Sequence, residues 1–191
     1  TYSAAGDLTS VVGVDGGEWR FGYDVNHRQV SIVSPRQVAE GTLGALVNQY
    51  DGWGRVIRQD DAEGRVTRYD YTSIAGATRV IDPAGEVRID RYVDGVRTSR
   101  TVAAGTAAES TWHFEYDPIL RAPTRVVDPN GIDDKVFTYD KRGNLASVTD
   151  ANGRTSSFTY RLDRKLATST DPSGLTTTYA YDGFGNLTST S

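Results

Sequence analysis

Large aromatic residues recur along the chain at a nearly constant interval. Nine tyrosines are separated by 21, 27, 21, 21, 24, 23, 21 and 21 residues, and most are preceded by a second aromatic residue two places earlier. Residues two apart on a β-strand share a face of the sheet, so the pattern predicts strands with one aromatic face. The repeated tyrosines are Tyr2, Tyr23, Tyr50, Tyr71, Tyr92, Tyr116, Tyr139, Tyr160 and Tyr181. The aromatic residues before them are Phe21, Tyr69, Phe114, Phe137, Phe158 and Tyr179.

Quartets of the form Asp-x-x-Gly punctuate the same repeat. In a type I turn, Asp accepts hydrogen bonds from the backbone at the first position, Pro presets φ at the second and Gly suits the fourth. One set of quartets begins about eleven residues after the tyrosine, and a second set follows the tyrosine directly. The first set comprises Asp61 to Gly64, Asp82 to Gly85, Asp128 to Gly131, Asp150 to Gly153 and Asp171 to Gly174. The second set comprises Asp51 to Gly54, Asp140 to Gly143 and Asp182 to Gly185.

The two sets of turns fall alternately about 10 and 11 residues apart, which leaves strands of roughly six or seven residues. Each repeat of about 21 residues is therefore predicted to be one β-hairpin. In five units the residue six after the tyrosine is Leu or Val, placed to pair with it across the hairpin. The sequence predicts an all-β fold, with residues 1–191 forming a single antiparallel array of about nine repeats that is incomplete at both ends.

Two segments depart from the period. Six additional residues precede Tyr50, and the sequence TVAAGTAAES replaces a recognisable turn quartet. We expect irregular loops near residues 34–47 and 101–111. A helical turn in the second segment is disfavoured by Gly105.

Composition and charge exclude several classes of protein. The net charge of −4 has no accompanying basic stripe, so we expect no nucleic-acid partner. No apolar run is long enough to predict a membrane span, and the absence of cysteine excludes thiol chemistry. The chain begins at Thr1 and contains no methionine, so we expect it to be a piece of a longer protein.

No arrangement of residues predicts catalysis, a metal or a cofactor, and we expect the chain not to be an enzyme. His27 and His113 are far apart in the sequence and are expected to be structural. The stretch DPNGIDD, from Asp128 to Asp134, clusters acids around a glycine but lacks the alternating ligands and terminal Glu of an EF-hand. The tyrosines are expected to be structural, whereas Trp53 is the residue that we single out as a glycan or cargo contact.

The units YDGWGRV from Tyr50, YDKRGNL from Tyr139 and YDGFGNL from Tyr181 resemble the YD repeats of Rhs proteins. The resemblance covers essentially the whole chain. Members of this family include bacterial Rhs effectors, the C components of toxin complexes and teneurins. The resemblance implies a curved or spiralling single-layer sheet that is part of a hollow shell, and in bacterial members the shell encloses a C-terminal toxic domain.

The resemblance implies a function, namely a structural segment of a shell that encapsulates a toxin or other cargo of a secreted, polymorphic-toxin-type protein. A cell-surface adhesion or carbohydrate-binding module built from YD repeats remains the alternative. Nine hairpins make a strip on the order of 80 to 90 Å long, which is too short to surround a folded toxin domain. We therefore expect the partners to be further YD repeats of the parent polypeptide or another chain, an enclosed cargo domain, and other copies associating through edge strands.

Overall fold

The computed structural model describes residues 1–41 and 46–191. Seventeen β-strands and one short helix make up its regular structure, and the strand pairs that are resolved are antiparallel. The prediction of an all-β fold built from antiparallel hairpin repeats is confirmed. None of the described helices is long and apolar enough to cross a membrane.

The chain divides into two compact units. Unit 1 comprises Thr1–Ile89 and Val102–Ala108, and unit 2 comprises Asp90–Thr101 and Glu109–Ser191. Strands β8 (Val87–Val93) and β9 (Val96–Val102) contribute residues to both units.

Unit 1 is a meander in which each strand pairs with the next one along the chain. Its strands are β1 (Ser10–Val12), β2 (Glu18–Tyr23), β3 (Gln29–Val33), β4 (Leu46–Tyr50), β5 (Val56–Asp61), β6 (Val66–Asp70) and β7 (Ala77–Ile81). An isolated bridge between Tyr2 and Leu8 precedes β1.

Unit 2 continues the same pattern of neighbouring antiparallel strands. Its remaining strands are β10 (Ser110–Tyr116), β11 (Pro123–Val127), β12 (Asp133–Tyr139), β13 (Leu145–Asp150), β14 (Thr155–Tyr160), β15 (Leu166–Thr170), β16 (Thr176–Tyr181) and β17 (Leu187–Thr190). Short turns join these strands, because acid and glycine residues recur at the spacing that a hairpin requires.

Helix α1 (Pro35–Glu40) lies in the segment where the sequence predicts an irregular loop. Its first turn is favoured by a proline at the first position and by Gln37, whose Oε1 accepts a hydrogen bond of 3.1 Å from the Ser34 backbone N–H. Gly41 ends the helix with φ of 69°, in the left-handed region. Residues 42–45 of the expected loop lie outside the described residues. The second expected loop contains turns between β9 and β10, with a hydrogen bond of 2.7 Å from the Thr106 hydroxyl to the Ala103 carbonyl.

Few side chains are buried. Among the described residues, the buried hydrophobic side chains are Ala77 and Val80, and the buried polar ones are Ser10, Asp90 and Ser99. Most strand residues are half-buried, as expected where side chains are covered by cross-strand neighbours. Backbone ladders and cross-strand pairs therefore hold each unit together, with only a small contribution from a closed apolar core.

Candidate functional site: the repeated turns and the two sheet faces

The turn between β12 and β13 shows what the Asp-x-x-Gly quartet does. The Gly143 N–H donates to the Asp140 carbonyl at 3.0 Å, and the Asp140 N–H donates to the Asn144 carbonyl at 2.8 Å. One carboxylate oxygen of Asp140 accepts from the backbone N–H groups of Arg142 and Asn144, at 2.8 and 2.9 Å. The other oxygen accepts from the Asn144 amide at 2.8 Å. A single carboxylate therefore satisfies the polar groups of the loop and holds its conformation.

The next turn, between β13 and β14, repeats this arrangement with arginine in place of asparagine. Asp150 accepts from the backbone N–H groups of Asn152 and Arg154 at 2.9 and 3.0 Å, and from Arg154 Nε at 2.8 Å. The Arg154 side chain, followed by its backbone N–H, holds the pKa of Asp150 below the ordinary aspartate value. Asn144 has the same effect on the pKa of Asp140, first through its side chain and then through its backbone N–H.

Sequence reasoning missed the residue that follows the glycine. At this fifth position, the side chain hydrogen-bonds the turn aspartate. The sequence contains a pattern that could have predicted the contact, because Arg or Asn follows the glycine in DGWGR, DAEGR, DANGR, DKRGN and DGFGN. The structure shows the same contact in a turn that has histidine at the glycine position, where Arg28 Nε donates to Asp24 at 2.7 Å. The pairs are Arg28 with Asp24, Arg55 with Asp51, Arg65 with Asp61, Asn144 with Asp140, Arg154 with Asp150 and Asn186 with Asp182.

The quartets without such a pair still use the carboxylate in the turn. Asp82, Asp128 and Asp171 each accept from two backbone N–H groups, two and four residues further on. The glycines at the fourth position of the quartets share positive φ, and they are Gly54, Gly64, Gly85, Gly131, Gly143, Gly153, Gly174 and Gly185. The acid and the glycine therefore act together in each turn.

Repeat tyrosines join neighbouring strands. Tyr139 lies opposite Leu145 across the β12–β13 hairpin, immediately after a shift in register. Its hydroxyl donates to the Pro123 carbonyl on β11 at 2.7 Å, so the side chain connects its own strand to the preceding one. Burial raises the pKa of the Tyr139 phenol. The same type of bond runs from Tyr50 to Gln29 at 2.6 Å and from Tyr71 to Val56 at 2.9 Å.

The other repeat tyrosines occupy equivalent or related positions. Tyr23, Tyr160 and Tyr181 lie opposite Gln29, Leu166 and Leu187 next to the same kind of register shift. Tyr116 lies opposite Pro123. Tyr92 lies in β8 and Tyr2 forms the isolated bridge with Leu8; both are exposed.

Cations of the turns lie over several of these rings. The Arg28 guanidinium is 4.8 Å from the centre of the Tyr50 ring, and that of Arg55 is 4.3 Å from the centre of the Tyr71 ring. Lys165 lies 5.4 Å from the Tyr181 ring in the same manner. Each contact joins a turn to the tyrosine of the following hairpin, so the turns support one another along the edge of the sheet.

The two faces of β12 to β16 differ in chemistry. Phe137, Tyr139, Phe158 and Tyr160 share one face, because they are two residues apart on their strands. The opposite face carries threonine and serine hydroxyls that pair across the strands at 2.6 to 2.8 Å. These pairs are Thr138 with Ser147, Thr149 with Thr155, Thr159 with Thr168 and Thr170 with Thr176. One face is therefore aromatic, and the other is hydroxylated and uncharged over these positions.

Asp90 forms a charged cluster that the sequence analysis did not identify. Its carboxylate is almost fully buried and accepts from Arg100 Nε at 2.7 Å, while Arg97 lies 3.6 Å away. The Arg97 guanidinium also lies 4.5 Å from the centre of the Phe114 ring. Asp90 lies in β8 and both arginines lie in β9, so pairing of opposite charges across the β8–β9 hairpin stabilises the buried acid.

The candidate ligand contact, Trp53, lies at the tip of the β4–β5 turn and is 80% exposed. Its backbone N–H donates to Asp51 at 2.9 Å, and the Arg55 guanidinium lies 5.0 Å from its ring centre. The indole is therefore presented to solvent at a fixed turn, with a cation beside it.

An open groove of about 410 Å³ lies in unit 2 beside the β10–β11 turn. Phe114 and Tyr116 contribute aromatic surface to it, and Asp94, Glu115 and Arg121 contribute charge. Aromatic surface with a few polar groups around it is the usual lining of a small-molecule site.

In the acidic stretch from Asp128 to Asp134, Asp128 and Asp133 accept hydrogen bonds from other groups of the protein. Asp128 accepts from the backbone N–H groups of Asn130 and Ile132, and Asp133 accepts from Arg125 Nε at 2.6 Å.

His27 occupies the fourth turn position with φ of 60°, and its Nδ1 lies 2.9 Å from Asp7. His113 lies on β10 and is exposed. Within residues 1–41 and 46–191, no group of three His, Cys, Asp or Glu side chains could hold a metal ion.

These observations define a repeat protein of antiparallel β-hairpins, in which a turn aspartate, a left-handed turn residue and a tyrosine recur along the chain. The family model described as RHS Repeat matches residues 2–39, 50–87, 139–168 and 161–191, which is more than half of the chain. The chain belongs to the RHS repeat family.

The chain is also similar to a curated protein and to two solved structures. The toxin protein Tse5 of Pseudomonas aeruginosa is 29% identical over 147 residues, which are 76% of this chain and 10% of Tse5. The crystal structure of TcdB2-TccC3 without its hypervariable C-terminal region superimposes with a TM-score of 0.68 at 17% identity, over 95% of this chain and 10% of that one. The Photorhabdus luminescens Tc holotoxin pore gives a TM-score of 0.66 at 18% identity, with the same coverage. The fold is shared, and the chain spans about a tenth of the length of each relative.

Proposed function

We propose that this chain is a wall segment of a hollow YD-repeat shell that encloses a toxin or other cargo domain of a secreted protein. The observation that carries the proposal is the architecture of each unit: hairpin follows hairpin, an aspartate carboxylate closes most of the turns, and few side chains are buried. Such a sheet extends by repetition and separates two spaces, whereas a globular domain buries a core. Membership of the RHS repeat family and the shared fold with toxin-complex proteins support the same role.

The two sheet faces fit a wall. An aromatic face and an uncharged hydroxylated face lie back to back across a single sheet, so the two sides present different chemistry. The role that we propose is structural, since the turn acids, and the repeat tyrosines Tyr50, Tyr71 and Tyr139, already have partners within the sheet.

Native proteolysis of the full-length polypeptide that contains this segment tests the proposal. We expect its cargo domain to resist protease, and we expect the double variant Gly153→Val and Gly174→Val to expose it. Both glycines have positive φ, and β-branched residues are strongly disfavoured there. The matched control is Gly52→Ala, where an added Cβ meets nothing within 4 Å. A cargo domain that is cleaved as fast in the parent protein as in isolation would contradict encapsulation, as would protection that the double valine variant leaves intact.

A carbohydrate-binding role is the second candidate, and two observations favour it: the exposed Trp53 indole and the aromatic groove beside Tyr116. Stacking of a sugar on an aromatic ring predicts that Trp53→Ala or Tyr116→Ala weakens binding to an immobilised glycan panel. The exposed Val25→Ala variant is the control. Equal binding by all three variants and the parent chain would argue against this role.

A further inference from the structure

The turns of unit 2 form two edges with different chemistry. In an antiparallel meander, successive turns alternate between the two edges of the sheet. We call the turns at 117–121, 140–144, 161–165 and 182–186 the cationic edge. We call the turns at 128–132, 150–154 and 171–175 the acidic edge.

Neighbouring turns of the cationic edge touch one another. Arg142 Nη1 donates to the Leu162 carbonyl of the next turn at 3.2 Å. A Cβ built on Gly143 would lie 3.1 Å from Leu120 of the preceding turn, and Lys165 lies directly beside Gly185. The cationic edge is therefore a continuous surface.

Large apolar side chains project from the tips of this edge. Ile119 is 88% exposed, Leu162 is 84% exposed and Phe184 is 95% exposed. They come from three of the four turns, and such a row on one edge marks an interaction surface more strongly than isolated exposed residues do.

The net charge of the cationic edge is positive. Its turns contain six Lys and Arg residues against four Asp residues. Asp117, Asp140 and Asp182 are directed into their own turns, where each accepts from backbone N–H groups. Exposed charge at the tips therefore comes mainly from the cations, including Arg121, Lys141 and Arg164.

The acidic edge has the complementary composition. Its three turns contain Asp128, Asp150 and Asp171 against a single base, Arg154. The second and third turn positions hold only Pro, Ala, Asn and Ser, and the exposed apolar residues, Ile132 and Leu175, lie directly after the glycine. Asp128, Asp150 and Asp171 accept from backbone N–H groups of their own turns, as the aspartates of the cationic edge do. The two edges therefore differ in the sign of their net charge, and not in acids exposed at the tips.

Both edges repeat with the spacing of one hairpin, about 10 Å, because each hairpin advances the sheet by two strands. We propose that the cationic edge of unit 2 docks onto the acidic edge of a second copy of this chain, with Ile119, Leu162 and Phe184 inserted between its turns. Two different surfaces meet in such a contact, so it is heterologous and leaves further edges available. The contact needs no cargo and does not rest on the encapsulation proposal.

Sedimentation velocity of the 191-residue chain over a range of concentrations tests the contact. We expect the average mass to rise with concentration, and to rise less at 1 M salt, where charge interactions are screened. The double variant Leu162→Ser and Phe184→Ser should weaken association by at least about tenfold, because it removes two exposed apolar groups from the interface. Val25→Ser is the matched control, since Val25 is 94% exposed on a turn of unit 1 and should have no effect.

A charge swap separates this contact from other modes of association. Lys141→Glu on the cationic edge and Asn152→Lys on the acidic edge both change exposed turn residues. Each single variant should weaken association, and the double variant should restore it at least partly. Circular dichroism of every variant checks that the sheet remains folded.

Three results would overturn the proposal. The first is a chain that stays monomeric at every concentration. A monomer that instead binds vesicles of anionic lipid through the tips of the cationic edge would overturn the proposal in the same way. The second is association that the serine double variant leaves unchanged. Pairing through terminal strands would give this result, because it does not involve Leu162 or Phe184. The third is a charge swap in which the double variant associates no better than the weaker single variant.

Discussion

At the scale of single residues, the fourth turn position requires the left-handed conformation. Gly153 has φ of 76° and makes no close contacts around its missing side chain, so glycine is favoured there by backbone conformation rather than by space. Two turns use other residues at this position, His27 with φ of 60° and Arg164 with φ of 65°. His27 lies beside Asp7, a contact that a glycine could not make.

Gly153→Ala should therefore lower the free energy of unfolding by about 1 kcal/mol, the cost of the left-handed region for a residue with a Cβ. Gly52→Ala in the β4–β5 turn is the control, because Gly52 is not left-handed and has open space around it. That variant should be neutral or slightly stabilising. Urea denaturation of both proteins measures the difference, and equal stabilities would show that turn conformation is not the reason for the glycine.

Acid should weaken the turns through their aspartates. Asp150 has a lowered pKa in the folded chain, so its contribution to stability is present above the ordinary value of 3.8 and is lost as the pH falls through the lower folded pKa. Asp150→Asn keeps an acceptor for the loop but removes the charge that pairs with Arg154. We expect denaturation midpoints of the two proteins to converge as the pH falls below 3.8 and to differ near neutral pH. A constant difference across this range would contradict the role of the charge.

The acid and glycine positions were predictable from sequence because turn chemistry is local and follows fixed spacing. The partners of the acids were less evident. Arg55 and Arg154 are ordinary surface cations in the sequence, and their roles appear only when the fifth turn position is compared across repeats. The buried Asp90 could not be predicted, because Arg100 meets it only through pairing of β8 with β9.

At the scale of the element, the hairpin is closed by its turn and joined to its neighbour by a tyrosine. Tyr139 faces Leu145 within its hairpin and donates to Pro123 on the preceding strand. The sequence predicts the first contact, since it follows from the alternation of residues on paired strands. The second requires the ring to extend across to another strand, which alternation alone does not specify.

Tyr139→Phe should lower stability by about 0.5 to 1.5 kcal/mol, because it removes one hydrogen bond and keeps the ring. Tyr160→Phe is a matched control one repeat later. The Tyr160 phenol has no hydrogen-bond partner within the part of the chain that the structure describes. Chemical denaturation should therefore place Tyr160→Phe close to the parent chain, and an equal loss in both variants would assign the effect to something other than this bond.

Helix α1 shows a limit of the repeat pattern. The additional residues before Tyr50 break the period and predict a loop, whereas Pro35–Glu40 is helical. The signal was Ser34 followed by Pro35 and Gln37, a helix start that is independent of the hairpin repeat. Periodicity predicts the repeated elements well, and it gives no guidance where the repeat is interrupted.

At the scale of the whole molecule, stability is distributed along the repeats. Only Ala77 and Val80 are buried hydrophobic residues within the described ranges, so no closed apolar core carries the free energy of folding. In such an array each hairpin depends mainly on its neighbours. The repeat sequence alone predicted this architecture, because nine units in register leave few other ways to pair the strands.

Hydrogen exchange should reveal this distribution. Strands β13 and β14 are paired on both sides, whereas all four residues of β17 are exposed. We expect the amides of β13 and β14 to exchange at least about tenfold more slowly than those of β17. Uniform protection in all strands of unit 2 would instead indicate a single cooperative body.

Electron cryo-microscopy of the full-length polypeptide tests directly whether these hairpins form the wall of a shell around a cargo. We expect residues 1–191 to lie in a sheet that bounds a closed interior, with density for a separate domain inside. A map in which this segment is an open array, with every other domain outside it, would contradict the claim.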